Sequence, residues 1–489
     1  MKNKIRKFVT HTFVALMLLA FSNPNALAQG LLNEKAIVEM ARKESILLHG
    51  FKAENFGNQV GTAMNMEKFT PYLFLGANSN YTNEPAFSSP APKSTDTSVY
   101  SMGYMQNLIH GLKISAGLYS STSKFDSFLT DEYKVTGGKL TLEIDLLKNI
   151  FGRLEKKIEA SNLANSVKSN EVYKLKVNEH AQTNRSIYWS IIANSEIQKL
   201  RKQIIRSVEK QEEEIKRQNT LYVSDKADVT RFSALKEMQE SSLIMLKYSR
   251  EQLESSLKNF YPKLRGKNLE FDSPDLDSAA DTVMQCINNI ATHKTPPLDA
   301  SSWVKVIKAS EVSSELKMAS NNLYSSPDIK LTSKVEYTDR EAEISGADSL
   351  EDDPYQNRTV ELSVNIPLGS TKSTSQKWQN YALKQAKLAE TQNYIATIAT
   401  AHEKTLRLIN LLNNALKTQA QVNELNKTSL QLSREKFNRA ELPLVQLIND
   451  ETTYLTGKVS EIETKLLIVN TLLDYLKVFD KYDCQFNKI

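Results

Sequence analysis

The sequence predicts an α+β membrane protein: β-strands of a membrane barrel joined to long α-helices packed side by side, built from an internal two-fold repeat. Three observations carry that reading. The same order of elements occurs twice, at an offset near 218 residues. Each copy holds a proline-free stretch, 153–220 and 370–437, that as one helix would span about 100 Å at 1.5 Å per residue. Ahead of each stretch, short segments alternate apolar with charged residues over about ten positions, the pattern of a membrane β-strand.

Composition sets the outer limits. The chain has 489 residues, 40% hydrophobic and 24% charged, with a mean hydropathy of −0.42, which excludes a polytopic helical membrane protein. Its formal net charge of +5 is misleading. Residues 1–28 read as a secretory signal, with Lys2, Lys4, Arg6 and Lys7 ahead of the apolar core Phe8–Phe21 and the small-residue site Ala26-Leu27-Ala28. Without that segment the chain carries about +1, and the compositional argument for nucleic acid disappears. No later stretch offers ~18 consecutive apolar residues, so no helical span is expected. The two cysteines, Cys286 and Cys484, leave a disulfide open. No histidine cluster, phosphate-binding loop, nucleophile elbow or Cys-x-x-Cys is present, so neither an enzyme nor a cofactor is expected.

The repeat is read element by element. The strand Leu140–Leu146 answers Val360–Ile366. The joints Asn149-Ile150-Phe151-Gly152 and Ile366-Pro367-Leu368-Gly369 each open a long helix. Within those helices Tyr188–Ile192 falls opposite Leu406–Asn410, and Tyr222–Val229 opposite Ala440–Leu447, where both copies break the helical pattern. Shorter helices return over 228–262 and 443–477, and others precede the strands over 31–58 and 301–324. In the second copy Leu408, Leu411, Ala415, Thr418, Val422, Leu425, Ser429 and Leu432 recur at three and four. That is a shallow heptad seam, suited to helices packed side by side in a layer. The division is a signal over 1–28, a first repeat over 29–262, a linking segment over 263–300, a second repeat over 301–480 and a tail over 481–489.

Strand arithmetic then forces an assembly. Leu112–Leu118, Leu140–Leu146, Ile329–Tyr337 and Val360–Ile366 alternate cleanly, and 71–81 and 98–107 are weaker, ending in tyrosines suited to a membrane interface. The polar segments Thr82–Thr97 and Asp339–Gln356 read as outward loops, and Asn107–Gly111 as a turn. Four to six strands cannot close a barrel, because an open edge in lipid leaves backbone groups unpaired, and closed membrane barrels start at about eight strands. Several copies of the chain must share it.

The signal, the duplicated strand-helix units, the Ile366–Gly369 joint and the two helix-breaking turns together resemble the TolC-like outer membrane efflux protein family. The resemblance covers essentially the whole chain beyond the signal. It implies a homotrimer in the outer membrane of a Gram-negative bacterium, its β-barrel continued by a long α-helical barrel that extends into the periplasm, where a periplasmic adaptor protein and an inner-membrane pump (RND, ABC or MFS) dock at the closed tip. It also implies contact with outer-membrane lipid, no cofactor, no metal and no nucleic acid. The expected function is passive export of small molecules or proteins, as in tripartite efflux or type I secretion. A periplasmic coiled-coil adaptor is the rival, but it would show one helical hairpin where this chain shows two. The family's usual four strands per chain would give a 12-stranded trimeric barrel; six would give 18.

The same resemblance places the periplasmic tip. The family's turn has an aromatic, a glycine, a serine and an aspartate three residues apart. Asn219, Tyr222, Asp225 and Asp228 stand there in the first copy, and Phe437, Ala440, Pro443 and Gln446 in the second. In family members an aspartate of the first copy and a tyrosine and arginine of the second tie the tip shut. Asp228 matches the aspartate, Phe437 takes the tyrosine position without its hydroxyl, Leu442 takes the arginine position, and Arg439 lies close by. Asp225 or Asp228 also reads as a cap of the returning helix, Pro443 as a first-turn proline and Phe437 as packing. Family members narrow to rings of aspartates; here Gln446 and Asn449 are neutral, with Asp450 turned about 100° away on a helix. Cys286 and Cys484 are expected in one layer midway along the tunnel.

Overall fold

The computed structural model describes residues 31–82, 95–108, 110–125, 132–220, 226–292, 295–324, 326–343, 350–366, 371–439 and 441–482. Six strands form one antiparallel sheet in chain order: β1 Tyr72–Thr82, β2 Thr95–Leu108, β3 Leu112–Phe125, β4 Glu132–Asp145, β5 Asp328–Glu343 and β6 Leu350–Asn365. All six expected strands are present, the two weaker ones included. The Asn107–Gly111 turn is tight because Gly111 takes a left-handed φ of +77° and presses on the Asn149 carbonyl, which leaves no room for a Cβ. The acidic segment read as a loop over Asp339–Gln356 is mostly strand: β5 runs to Glu343 and β6 starts at Leu350, with a bulge between Thr338 and Arg340. Backbone ladder bonds do not depend on side-chain charge, so the hairpin continues past the apolar stretch.

The helices build a wall. Two of them, α3 Arg153–Thr220 and α7 Thr371–Asn438, are 68 residues each, about 100 Å. Four shorter ones flank them. Near the sheet, α2 Ile46–Glu67 packs on α3, and α6 Trp303–Tyr324 packs between α3 and α7. Farther along, α4 Lys226–Phe260 returns along α3, and α8 Leu444–Val478 returns along α7 while also packing on α3. The far half of the wall therefore reads α4, α3, α8, α7 from edge to edge. Two more helices, α1 Glu34–Lys43 and α5 Leu276–Ala291, brace the middle. None of the described helices is long and apolar enough to cross a membrane.

Local chemistry sets these boundaries. Asn33 caps α1 by accepting from the Ala36 amide at 2.8 Å, and Asp275 caps α5 through the amides of Asp277 and Ser278. The one helix expected over 31–58 is two: Leu32 pairs with Phe271 in a short parallel bridge, and Ser45 re-caps the chain at α2 after Glu44 ends α1. At the first joint Phe151 and Gly152 adopt left-handed φ of +51° and +74°. The Asn149 carboxamide there accepts from the amides of Leu154 and Glu155, opening α3. Residues 367–369 of the second joint lie outside the described residues. The main core sits mid-wall, where Tyr188, Trp189 and Ile191 of α3 meet Val283 and Ile287 of α5 and Ile468, Leu472 and Leu473 of α8. Cys286 belongs to this core and is disulfide-bonded. Cys484 lies outside the described residues.

The predicted seam of α7 is the clearest correction. It does not serve packing inside the chain: Leu411 and Leu425 are 66% and 71% exposed, and Val422 and Leu432 are exposed as well. The face of α7 turned toward α8 and the mid-wall instead carries Ile398, His402, Thr405, Ile409, Asn423 and Leu430, all buried. Sequence period fixes that a stripe exists but not which neighbour covers it.

Candidate functional site

The sheet presents two unlike faces, as period-2 alternation requires. One alternating set holds its most exposed large side chains: Leu73 and Leu75 (82% and 85%), then Tyr100, Met102, Leu118, Leu140, Tyr337, Val360 and Leu362. The register aligns them across strands, Leu75 beside Met102 beside Leu118, and Leu140 beside Val335. An apolar band shared by six strands and left open to the surroundings is too costly to expose to water, and it fits hydrocarbon. The opposite face is polar. There Lys330 pairs with Glu143 at 3.0 Å, and the Tyr119 hydroxyl donates to Glu336 at 2.6 Å. On this face Phe74 of β1 lies across Gly103 of β2 and Gly117 of β3, which are register partners. The ring occupies the space their side chains would need.

Polar networks fix the helices to one another below the sheet. Glu390 of α7 accepts from Lys168 of α3 at 2.5 Å, from Ser310 of α6 at 2.6 Å and from Tyr394 at 2.8 Å. Burial works against its charge, but the three donors outweigh burial and hold the carboxyl below the usual range. Midway, Glu461 of α8 accepts from Lys465, Lys458 and Asn423 of α7 at 2.7–2.9 Å, and Lys465 also pairs with Asp277 of α5. Burial again opposes ionisation, and the donors win, taking Glu461 down to about 2. Burial and the Asp272 carboxylate together push the Tyr188 phenol well up. These groups tie helices together; among the described residues none forms a metal-ligating cluster.

At the tip, the chain turns between α7 and α8. The Glu441 amide donates to the Lys436 carbonyl at 2.9 Å, closing α7. Pro443 stands at the N-cap of α8, one position before the first turn where it was expected, and its side chain forms no capping bond. Phe437 packs into a second apolar cluster with Ile215, Phe232, Val229, Ile448 and Tyr454, joining all four helices of the tip. Arg439 pairs with its neighbour Glu441 at 3.6 Å, both exposed. Leu442 is half-buried, and Gln446 and Asn449 are exposed. Asp450 accepts from Ser433 at 2.5 Å and from Gln446 at 2.9 Å. Asp225 and the side chain of Asp228 lie outside the described residues.

A contact that sequence reasoning missed lies one residue along. Arg434 of α7 donates to Glu451 of α8 at 2.7 Å and to Ser207 of α3 at 3.2 Å, and Glu451 is only 2% exposed. Among the described tip residues this is the polar link between the two halves of the chain. Its signal was present: Ser433 and Asp450 lie about equally far from the turn on antiparallel helices, and Arg434 and Glu451 are the next residue on each.

No family model matches the sequence, and no curated protein matches it. Solved structures do match. The chain superposes on CusC, whose structures concern folding and transmembrane channel formation, with a TM-score of 0.66 at 11% identity over 92% of this chain and 95% of that one. It superposes on the outer membrane protein VceC of Vibrio cholerae with a TM-score of 0.63 at 11% identity, over 92% and 96%. For the open state of the MtrE outer membrane channel of Neisseria gonorrhoeae the TM-score is 0.61 at 12% identity, over 91% and 88%. Six strands feeding a 100 Å helical wall, matched over nine-tenths of the chain to channels of this architecture, give the protein the fold of the TolC-like outer membrane channels.

Proposed function

We propose that the protein is a passive, homotrimeric outer-membrane channel-tunnel for export, working with a periplasmic adaptor and an inner-membrane pump of RND, ABC or MFS type. The observation that carries this reading is the exposed apolar band on one face of the sheet, joined directly to the helical wall. A band of this kind sits in outer-membrane lipid, and the wall then reaches through the periplasm. A periplasmic adaptor has no use for such a band. With no catalytic constellation in the sequence, the energy for transport comes from the partner pump.

The division into two repeats, 29–262 and 301–480 around the link 263–300, draws support from the helix starts. Arg153 and Thr371 are 218 positions apart, and so are Lys226 and Leu444. Assembly draws support from the wall's open edges. On one edge α7 exposes Leu411, Val422, Leu425 and Leu432; on the other α4 exposes Met238, Met245 and Tyr248 at helical spacing. Two unlike edges that cover each other between neighbouring copies form a heterologous ring.

The test uses the full chain purified in detergent. A mass of three chains and discrete conductance steps in a planar bilayer are expected. A stable single-chain particle that inserts into no bilayer would end the proposal.

A further inference from the structure

The sheet has six strands, and the two-fold plan accounts for four of them. Shifted by 218 positions, β4 falls on β6, both helix starts coincide, and the β3–β4 hairpin answers β5–β6. Among the described residues of the second half the hairpin β1–β2 has no counterpart. Two fates are open to an added hairpin: it folds back against the barrel, leaving β3 to meet the next copy, or it widens the wall.

The side chains decide. β1 pairs with β2 along its whole length, Tyr72 with Met105 through Thr82 with Thr95, and β2 pairs with β3 from Thr95 with Phe125 to Leu108 with Leu112. Phe74 reaches beyond its own neighbour, across Gly103 of β2 onto Gly117 of β3, so β1 is fastened to the third strand as well as the second. On the other face Leu73, Leu75, Tyr100 and Met102 continue the apolar band at the level of Leu118 and Leu140. The added hairpin therefore carries both a lipid face and a lumenal face. Its lumenal side is uncharged, with Phe74 near the helices and Asn78, Asn80, Thr97 and Ser101 beyond it.

Resting on the trimeric reading above, we propose that all six strands enter the wall, that β1 of one copy pairs with β6 of the next, and that the barrel has 18 strands. An unpaired β1 or β6 edge in hydrocarbon would leave a row of amides and carbonyls without partners, so the occupant of each edge is the opposite edge of a second copy. Barrel diameter grows roughly linearly with strand number, which makes this mouth about one and a half times as wide as a 12-stranded one. The outer-membrane segment is then an open aqueous exit. Selection of cargo by size falls to the helical tunnel and its tip.

Cysteine cross-linking tests the edge. Asn78→Cys in β1 is combined in turn with Asn357→Cys, Thr359→Cys, Glu361→Cys or Ser363→Cys along β6, in the full chain in outer membranes. At least one pair is expected to give covalently linked trimers on a denaturing gel. The same β6 set combined with Ser115→Cys in β3 is expected to give none. Cross-links from β3 and none from β1 overturn the proposal. Should the variants fail to assemble, a cryo-EM map of the unaltered trimer decides by strand count: 18 is expected, and 12 overturns the wide barrel while leaving the trimeric channel intact. A particle that is not a trimer removes the channel reading itself.

Discussion

Arg434 and Ser207 stand 227 positions apart in sequence and 3.2 Å apart in space, so that one guanidinium bridges the two halves of the chain at the tip. The same group holds Glu451, which has no other polar partner at its second oxygen. A buried carboxylate with a single cation depends on that cation.

Arg434→Ala is therefore expected to loosen the tip. Breaking a fully buried pair costs about 3–5 kcal/mol, and because Arg434 is itself half exposed, about 2 kcal/mol is the fitting figure here. Limited proteolysis of the detergent-solubilised protein should show faster cleavage between α3 and α4 and between α7 and α8. Glu451→Gln in the same background should restore resistance by removing the stranded charge. Cleavage at the unaltered rate in Arg434→Ala would count against the link.

The glycine pair under Phe74 makes a sharper prediction about the sheet. A Cβ on Gly103 would lie 2.6 Å from the Ala116 carbonyl oxygen and 2.6 Å from the Phe74 ring, whereas one on Gly138 would meet only Leu118 at 3.4 Å. Gly103→Ala is thus expected to reduce assembled protein in the outer membrane, with a penalty of about 1–3 kcal/mol, and Gly138→Ala to be tolerated. Phe74→Ala will not rescue Gly103→Ala, because the backbone oxygen remains. Equal yields of the two glycine variants would show that the flat ring does not constrain the wall.

Glu461 gives a pH prediction. Its carboxyl is depressed to about 2 against an ordinary 4.5 in the unfolded chain. A depressed acid contributes stability that is present above pH 4.5 and is lost as the pH falls through about 2. The unaltered protein should therefore outlast Glu461→Gln on heating at pH 7, with the gap closing between pH 4.5 and 2. Loss of helical circular dichroism measures it. A gap that stays constant across that window would mean that the Lys458, Lys465 and Asn423 contacts are structural without being ionic.

Much of this architecture was legible in the sequence, and the part that was not has a common cause. Leu140–Leu146 alternates because the sheet has one apolar and one polar face, and 153–220 lacks proline because its backbone bonds run unbroken; both are local consequences of local residues. The helix break at Ser45 is local too, but a single serine inside an otherwise helical run is a weak signal. Which stripe of α7 faces α8 and which faces outward depends on a neighbour more than twenty positions away, and the Leu411–Leu432 seam looked equally suited to either. At the tip, Phe437 packs in the apolar cluster and Arg439 pairs with Glu441, while the link between the two halves is made five residues earlier by Arg434, whose partner Ser207 is invisible without the fold.

The last prediction concerns ions at the tip. Gln446 and Asn449 are exposed and neutral, where family resemblance places aspartates that trap multivalent cations. Of the two acids on that stretch of α8, Glu451 is buried against Arg434, and Asp450 has both its oxygens engaged by Ser433 and Gln446. Like charges gathered in a narrow ring create a strong local field, whereas amides contribute only dipoles. The channel is therefore expected to show weak cation selectivity and little block by trivalent cations added on the periplasmic side of a planar bilayer. Introducing Gln446→Asp and Asn449→Asp together adds six charges to three chains and should create block at micromolar concentrations. Releasing Asp450 with Ser433→Ala should produce a smaller effect in the same direction. Strong micromolar block of the unaltered channel would show that an acid already faces the lumen at the constriction, and the neutral ring would have to be given up.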